Sequence, residues 1–267
     1  MIQESSTQAR APFIDAHCHL SDPRMKDRLS LAIEEATKAG VGLMMLGGVE
    51  SDEWRRQAQL KRDHPEILRT SFGIHPWRVA SCSLPELEQE FLVLEREIQN
   101  ADALGETGLD FHPKRNPASV SIQEEFFTRQ LKLAEKARKP LVLHVVRAHA
   151  RALLLVREAN LTVPLMIHSF SGSADEAREW VRIGALLSFS GGIARKDEAS
   201  SQKAKEALKA TPLSKILFET DAPDQAFCEG IHEPRLVIEI YRAAAAQLGL
   251  ELQELKEIVA ENFAKIR

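Results

Sequence analysis

The sequence predicts an α/β protein with a (β/α)8 TIM barrel fold, and three observations support this prediction. Eight short apolar runs are separated by longer stretches in which apolar residues recur at helical spacing. Regular alternation of strands and helices is typical of a parallel sheet covered by helices. The runs are continuously apolar, as expected for parallel strands buried on both faces. The length of 267 residues is in the range of one such barrel.

The boundaries of the elements follow from the apolar runs and from local capping signals. The predicted strands are Phe13–His17, Gly42–Gly47, Arg69–Gly73, Ala103–Glu106, Pro140–Val145, Pro164–His168, Ala185–Phe189 and Lys215–Glu219. The first helix is apolar at helical spacing from Leu29 to Ala36, and Gly40 stands where a C-cap is expected. Ser121 and Glu124 resemble a capping box that opens a later helix. Further helices are predicted at residues 174–183, 196–210, 234–248 and 251–265.

Composition excludes several classes of protein. The net charge of −4 gives no global basic signature for tight binding to nucleic acid. Three widely spaced cysteines do not suggest a disulfide framework, and Cys18, between two histidines, is expected to face away from them. Residues 1–12 read as a polar extension without a secretory signal, and no apolar stretch is long enough to span a bilayer. We therefore expect a cytoplasmic protein with no membrane association, and a monomer.

Metal-competent side chains stand at the ends of five predicted strands. In chain order they are His17, His19, Glu106, His144, His168 and Asp221. His17 and His19 are two residues apart, so on a strand both imidazoles point to one face. Singly, each residue has an ordinary explanation, such as a core histidine, a surface glutamate or a helix cap. Because the carboxyl ends of barrel strands meet at one rim, together they indicate a metal centre.

Six ligands are more than one tetrahedral ion needs, which favours a binuclear centre. Imidazole and carboxylate ligands suit divalent ions, and we predict two per chain: zinc, magnesium, manganese or similar. The predicted assignment is His17, His19 and Asp221 for one ion, His144 and His168 for the other, and Glu106 as the bridge. Two such ions activate a water molecule for attack. Asp221, as proton acceptor, and Glu106 are therefore the predicted catalytic residues.

Five ordered motifs resemble those of the TatD-type metal-dependent deoxyribonucleases, within the amidohydrolase superfamily. They are DAHCHL, GIHP, GETGLD, HSFSG and ETDAP, and the resemblance runs from about residue 13 to Glu261-Asn262-Phe263. It implies one barrel domain within residues 1–267 and places the family's ligand positions on the six residues named above. It also implies a phosphodiesterase that acts on DNA, often as a 3′→5′ exonuclease. Single strands or frayed ends are the expected substrates.

Three residues outside the ligand set are predicted to contact substrate. His75, in GIHP, resembles a family position that helps to place the phosphate. Trp77 follows it, and this indole either stacks on a base or packs over its loop. Arg147 resembles the arginine of the family motif H-x-R-x-A, but here one extra residue separates it from His144. We therefore expect Arg147 to reach the site differently from the arginine of the family motif.

Two other departures from the family pattern bear on the substrate. Thr107 replaces an aliphatic residue in GETGLD, which is not a ligand position. Glu233 stands in the sequence Ile231-His232-Glu233-Pro234-Arg235 where the family has Asn-Arg-Pro, and we expect this acid to lie near the substrate path. A metal-dependent amidohydrolase or esterase, acting on a small molecule or a nucleic-acid-linked ester, is therefore the alternative. A barrel without catalysis ranks third, since all the ligand types are present.

Overall fold

The computed structural model describes residues 11–114, 119–195, 198–230 and 232–266, with only the backbone described at 198–200. Residues 1–10 of the predicted polar extension, residues 196–197 of the predicted helix and Ile231 lie outside this part. Within the described residues, no helix combines the length and the apolar character that crossing a bilayer requires.

Eight parallel strands form one sheet in sequential order, β1 to β8. They are β1 (Phe13–Cys18), β2 (Val41–Leu46), β3 (Leu68–Phe72), β4 (Ala103–Asp110), β5 (Leu141–Val146), β6 (Leu165–Ile167), β7 (Leu186–Phe189) and β8 (Ile216–Phe218). Backbone hydrogen bonds join the two ends of the sheet, from Asp221 N–H to the His17 carbonyl at 2.9 Å and from His19 N–H to the Ala222 carbonyl at 2.7 Å. The predicted (β/α)8 barrel is confirmed.

Helices cover the outside of the sheet. They are α1 (Leu29–Lys38), α2 (Ser51–Asp63), α3 (Pro76–Ser81), α4 (Leu84–Glu97), α5 (Val120–Ala137), α6 (His149–Ala159), α7 (Ala174–Arg182), α8 (Glu198–Ala210), α9 (Val237–Leu248) and α10 (Leu252–Phe263). Two of these follow β3 and two follow β8. Gly40 follows α1 with φ of +93°, which confirms the predicted helix end.

Two local predictions are wrong. Ser121 does not open a helix, because α5 already begins at Val120 and its N-cap is Ser119. Glu124 instead accepts two hydrogen bonds from the guanidinium of Arg151. Trp77 does not lie on an irregular rim loop but in the first turn of α3, with the His75 side chain as the N-cap. Pro76 supplies the first helical position, where a missing N–H carries no cost.

The core lies both within the barrel and between the barrel and its helices. All the residues of β1 and β4 are buried, in agreement with strands covered on both faces. Cys18 is fully buried in this core, on the face of β1 opposite to His17. The strands are therefore held rigidly, and the polar residues at their carboxyl ends occupy fixed positions at one rim.

Candidate metal centre

The structure brings together all six predicted ligands at the carboxyl end of the barrel. His17, Glu106 and His144 lie within β1, β4 and β5, and His19 and His168 directly follow β1 and β6. Asp221 stands three residues after the end of β8. Asp221 has φ of +58°, and this left-handed residue turns the chain at the end of β8. All six are buried except His19, whose side chain is 12% exposed. The other five fall into two groups on either side of Glu106.

The first group, the β1/β8 half, consists of His17, His19 and Asp221. His17 Nε2 and His19 Nε2 lie 3.3 Å apart, and His19 Nε2 lies 3.3 Å from Asp221 Oδ1. Gly47, after β2, makes this approach possible, because an added Cβ would overlap the His17 ring and lie 2.9 Å from His19 Cε1. The three donor atoms therefore point at a common volume.

The second group, the β5/β6 half, consists of His144 and His168. His144 Nδ1 lies 2.9 Å from His168 Nε2. The far nitrogens of the two rings face acids: His168 Nδ1 is 3.4 Å from Glu219 Oε1, and His144 Nε2 is 3.6 Å from Asp110 Oδ2. A carboxylate behind a histidine fixes the orientation of the ring and raises its basicity as a ligand.

Glu106 joins the two halves through its separate carboxylate oxygens. Oε1 lies 3.4 Å from His17 Nε2 and 3.3 Å from His19 Nε2, while Oε2 lies 2.9 Å from His168 Nε2. Burial alone would raise the pKa of Glu106, but the charges of His168, His17 and His19 outweigh it and hold the pKa well below its usual range. This carboxyl group is therefore ionised, with one oxygen facing the β1/β8 half and the other facing the β5/β6 half.

A deeper layer holds the end of β8 in position. Asp15 accepts hydrogen bonds from Thr220 N–H at 2.8 Å and from Thr220 Oγ1 at 2.6 Å. The ring Nε2 of His232 lies 2.9 Å from the Thr220 carbonyl. Because Thr220 precedes Asp221, these contacts fix the backbone that presents the Asp221 carboxylate.

His75 has its tautomer set by the backbone. The N–H of Trp77 donates to His75 Nδ1 at 3.0 Å, so Nδ1 is an acceptor and Nε2 carries the ring proton. Nε2 lies 3.6 Å from Glu106 Oε2. Burial, together with the charge of His144, holds the pKa of His75 well below its usual range. His75 is thus a neutral hydrogen-bond donor beside the six ligands, as suits a residue that contacts an anionic group.

A cavity of about 450 Å³ opens above these residues. Trp77 lines it with 39% of its surface exposed, while its Nε1–H donates to Asp110 and its ring lies edge-on to His75. Arg147 is exposed at the end of β5 with φ of +55°, and it is not among the described residues that line the cavity. Of the three predicted substrate contacts, the structure places two at the cavity.

Sequence reasoning missed a group at the rim, namely Asp22, Arg24 and Asp224. Their signal in the sequence is weak: a charged residue a few positions beyond a ligand is ordinary in a surface turn. The expectation that Glu233 lies near the substrate path is wrong. Glu233 is fully buried, pairs with Arg28 at 2.7 Å and lies 3.5 Å from Arg235, and it does not line the cavity.

The donor set suits divalent metal ions. Among the described residues, Glu106 Oε1 and Asp221 Oδ1 are buried without a hydrogen-bond partner, as is His17 Nδ1. Facing imidazole nitrogens at 2.9 and 3.3 Å need a proton or a cation between them. Three overlapping sets of donors each fall within 4.8 Å of one another. One joins His17 and Asp221 to His168 across the two halves, one consists of His17, His19 and Glu106, and the third includes His75 with Glu106 and His144. Cations would satisfy the two carboxylate oxygens and the facing imidazole nitrogens together, whereas His17 Nδ1 lies on the far side of its ring from Glu106.

Comparison with known proteins places the chain in a family. The model of the TatD-related DNases matches residues 14–266. An Escherichia coli K12 protein named uncharacterized metal-dependent hydrolase YjjV is 30% identical over 212 residues, 79% of this chain and 80% of that protein. A Klebsiella pneumoniae protein named 3′-5′ ssDNA/RNA exonuclease TatD is 35% identical over 192 residues, which are 72% of this chain and 70% of that protein.

The fold comparison agrees. The crystal structure of E. coli YjjV, a TatD homologue, superimposes with a TM-score of 0.84 and 26% identity, covering 95% of this chain and 97% of that one. Barrel, motifs and cavity therefore lead to one conclusion, which the resemblance in the sequence had already indicated. The chain belongs to the family of TatD-related DNases.

Proposed function

We propose that the protein is a divalent-metal-dependent phosphodiesterase that removes nucleotides from the ends of single-stranded or frayed DNA. The direction that we propose is 3′→5′, which is the direction in the name of the Klebsiella relative. We also propose that two ions are bound per chain. Action as a monomer remains an expectation.

One observation carries the proposal, namely the division of Glu106 between two sets of donors. Its Oε1 faces His17 and His19, and its Oε2 faces His168. A carboxylate placed in this way supports a bridge between an ion held by the β1/β8 half and an ion held by the β5/β6 half. The ions would lower the pKa of a bound water and offset the negative charge that develops during phosphoryl transfer.

Three residues would accept the proton, bind the phosphate and bind the terminal base. Asp221 has one buried oxygen, Oδ1, without a hydrogen-bond partner among the described residues, and this atom is the proposed acceptor of the proton from the attacking water. His75 presents its Nε2 proton beside Glu106, where it would donate to a non-bridging phosphate oxygen. Trp77 offers an exposed ring at the rim on which a terminal base can stack.

The experiment compares the wild type with His144→Ala and with a matched control, His64→Ala. His64 ends α2 at the opposite end of the barrel from the cavity. Each purified protein is incubated with end-labelled single-stranded oligonucleotides in the presence of Mg²⁺, Mn²⁺ or Zn²⁺. We expect stepwise shortening from the 3′ end by the wild type and by His64→Ala. We expect no detectable shortening by His144→Ala, with unchanged circular dichroism.

The same assay separates the alternative reaction. Small carboxylic esters and amides are offered to the wild type under the same metal conditions. Turnover of these compounds without hydrolysis of any oligonucleotide would overturn the proposal in favour of an amidohydrolase or esterase. Full nuclease activity in His144→Ala would overturn the assignment of the metal centre.

A further inference from the structure

The rim of the cavity carries a closed charge cluster on one side, which we call the rim triad: Asp22, Arg24 and Asp224. The guanidinium of Arg24 donates to both oxygens of Asp224, at 2.9 and 2.7 Å. On its other edge it donates to both oxygens of Asp22, at 3.0 and 2.7 Å. Both Arg24 and Asp22 belong to the segment after β1, whereas Asp224 follows β8. The triad therefore joins two neighbouring segments of the rim.

Arg24 directs all three of its guanidinium nitrogens at acids within this cluster, although its side chain is 56% exposed. Bidentate pairs between arginine and carboxylate are the strongest of such contacts, and Arg24 makes one with each aspartate. One guanidinium and two carboxylates leave a net charge of −1 on this wall. Although Arg24 is the residue that would be expected to hold a phosphate, its donors are directed at the two aspartates.

The opposite wall of the cavity differs in chemistry. Trp77 follows β3, and His112 and Lys114 follow β4, and all three line the same cavity. In a barrel of eight strands, β4 lies across from β8. A polyanionic strand is attracted along the wall that carries Lys114 and an exposed indole. It is repelled from the wall that carries the rim triad.

We propose that the rim triad is a charge barrier that biases cleavage toward strand ends, with Asp224 as a specificity-determining residue. The inference rests on the proposed function. A strand that continues past the scissile bond would have to place its next phosphate against two carboxylates. A strand that ends there places none. The metal centre would then favour a terminal nucleotide over the middle of a chain.

The test compares Asp224→Asn, which makes the wall neutral, with Arg24→Gln, which leaves both acids uncompensated. Asp175→Asn, at an exposed pair with Arg178 on α7, is the control for loss of one carboxylate. The substrates are a linear single-stranded oligonucleotide, the same oligonucleotide circularised, and thymidine 5′-(p-nitrophenyl phosphate). The quantity compared is kcat/KM for each DNA divided by kcat/KM for the small diester.

We expect this ratio for circular DNA to rise about two- to fivefold in Asp224→Asn, the size of an exposed charge interaction, and to fall similarly in Arg24→Gln. The ratio for linear DNA should change less, because a strand that ends at the site places no phosphate against the triad. The ratio should be unchanged in Asp175→Asn. If Arg24 instead grips a phosphate, Arg24→Gln would lower activity on the small diester as strongly as on DNA, which would overturn the proposal. Ratios equal to those of the wild type in both rim variants would also overturn it.

A binding measurement makes the inference independent of turnover. Fluorescence anisotropy of a labelled circular oligonucleotide is recorded with each variant in Ca²⁺ at low salt. Tighter binding by Asp224→Asn and weaker binding by Arg24→Gln support the barrier even if no phosphodiester is hydrolysed, and equal binding by both contradicts it. Absence of hydrolysis by the wild type would refute the proposed function alone.

Discussion

The two halves of the metal centre have similar ligands but different support. In the β5/β6 half, Glu219 lies within hydrogen-bond distance of His168 Nδ1, at 3.4 Å. Asp110 faces His144 Nε2 at 3.6 Å, which is beyond hydrogen-bond distance. In the β1/β8 half, Nδ1 of His17 is buried and has no hydrogen-bond partner among the described residues. Supporting acids raise the affinity of a histidine for a metal. We therefore expect the β5/β6 half to retain its ion more firmly.

The difference arises from how each half is built. Each of the segments at β4 and β8 carries a second acid. Asp110 ends β4, four residues beyond Glu106, and Glu219 directly follows β8, two residues before Asp221. Both acids turn toward the β5/β6 half. The acid near His17, Asp15, is occupied with the backbone and the hydroxyl of Thr220. It therefore holds the end of β8 and not the His17 ring.

Replacement of the shared ligand should have the largest effect, because it affects both halves. Glu106→Gln keeps the size of the side chain but removes the charge that faces His17, His19 and His168. We expect nuclease activity to fall by on the order of 10²–10³-fold or more, as on loss of one electrostatic contributor to a transition state. Metal content, measured by inductively coupled plasma mass spectrometry, should fall below that of the wild type. If Glu106→Gln kept the nuclease activity and the metal content of the wild type, Glu106 would not be the residue that joins the two halves.

The second largest effect is expected from a substitution that affects only the β1/β8 half. An added methyl group at Gly47 would overlap the ring of His17 and crowd His19, whereas the β5/β6 half is not among its neighbours. We expect Gly47→Ala to lose the ion of the β1/β8 half and to retain the ion of the β5/β6 half. Its nuclease activity should be about tenfold to a hundredfold lower than that of the wild type. Gly184→Ala is a control at a glycine with nothing within 4 Å, although its φ of +90° adds strain of its own. Loss of both ions in Gly47→Ala would contradict the independence of the halves.

The sequence predicted most of the fold, and the six residues that it proposed as ligands lie together at one rim, for a simple reason. A buried parallel strand must be apolar, so a histidine or an acid at its carboxyl end stands out, and the order of strands in a barrel brings such residues to one rim. The strand boundaries differ by at most one residue from those predicted, except at β4. That strand runs on to Asp110 because GETGLD, although polar in part, is buried throughout.

What the sequence did not predict depends on contacts between distant segments. The rim triad requires Arg24 to meet Asp224, 200 positions away, and nothing local indicates that pairing. Glu233 was misplaced for the same reason, because its partner Arg28 lies 205 positions away. The role of His75 as a helix cap is also hidden, because histidine is not among the preferred N-cap residues.

The smallest effect is expected from substitution of Glu219, the acid beside His168. This substitution tests most directly whether the two halves differ because of their supporting acids. Glu219→Gln keeps an oxygen near His168 Nδ1 but removes the charge, while Ser169 N–H can still donate to the amide oxygen. We expect the affinity of the β5/β6 half for metal to fall by about tenfold to a hundredfold. Glu239→Gln, at an exposed pair with Arg242, is the matched control.

Loss of metal to increasing chelator separates the possibilities. In the wild type we expect two phases, with the ion of the β1/β8 half leaving first because His17 has no acid behind it. In Glu219→Gln the second phase should move toward the first, while the first stays where it was. A shift of the first phase alone would mean that Glu219 supports the other ion. Two phases identical to those of the wild type would mean that the acids behind the imidazoles contribute nothing to metal retention, and that the halves differ only in their ligands.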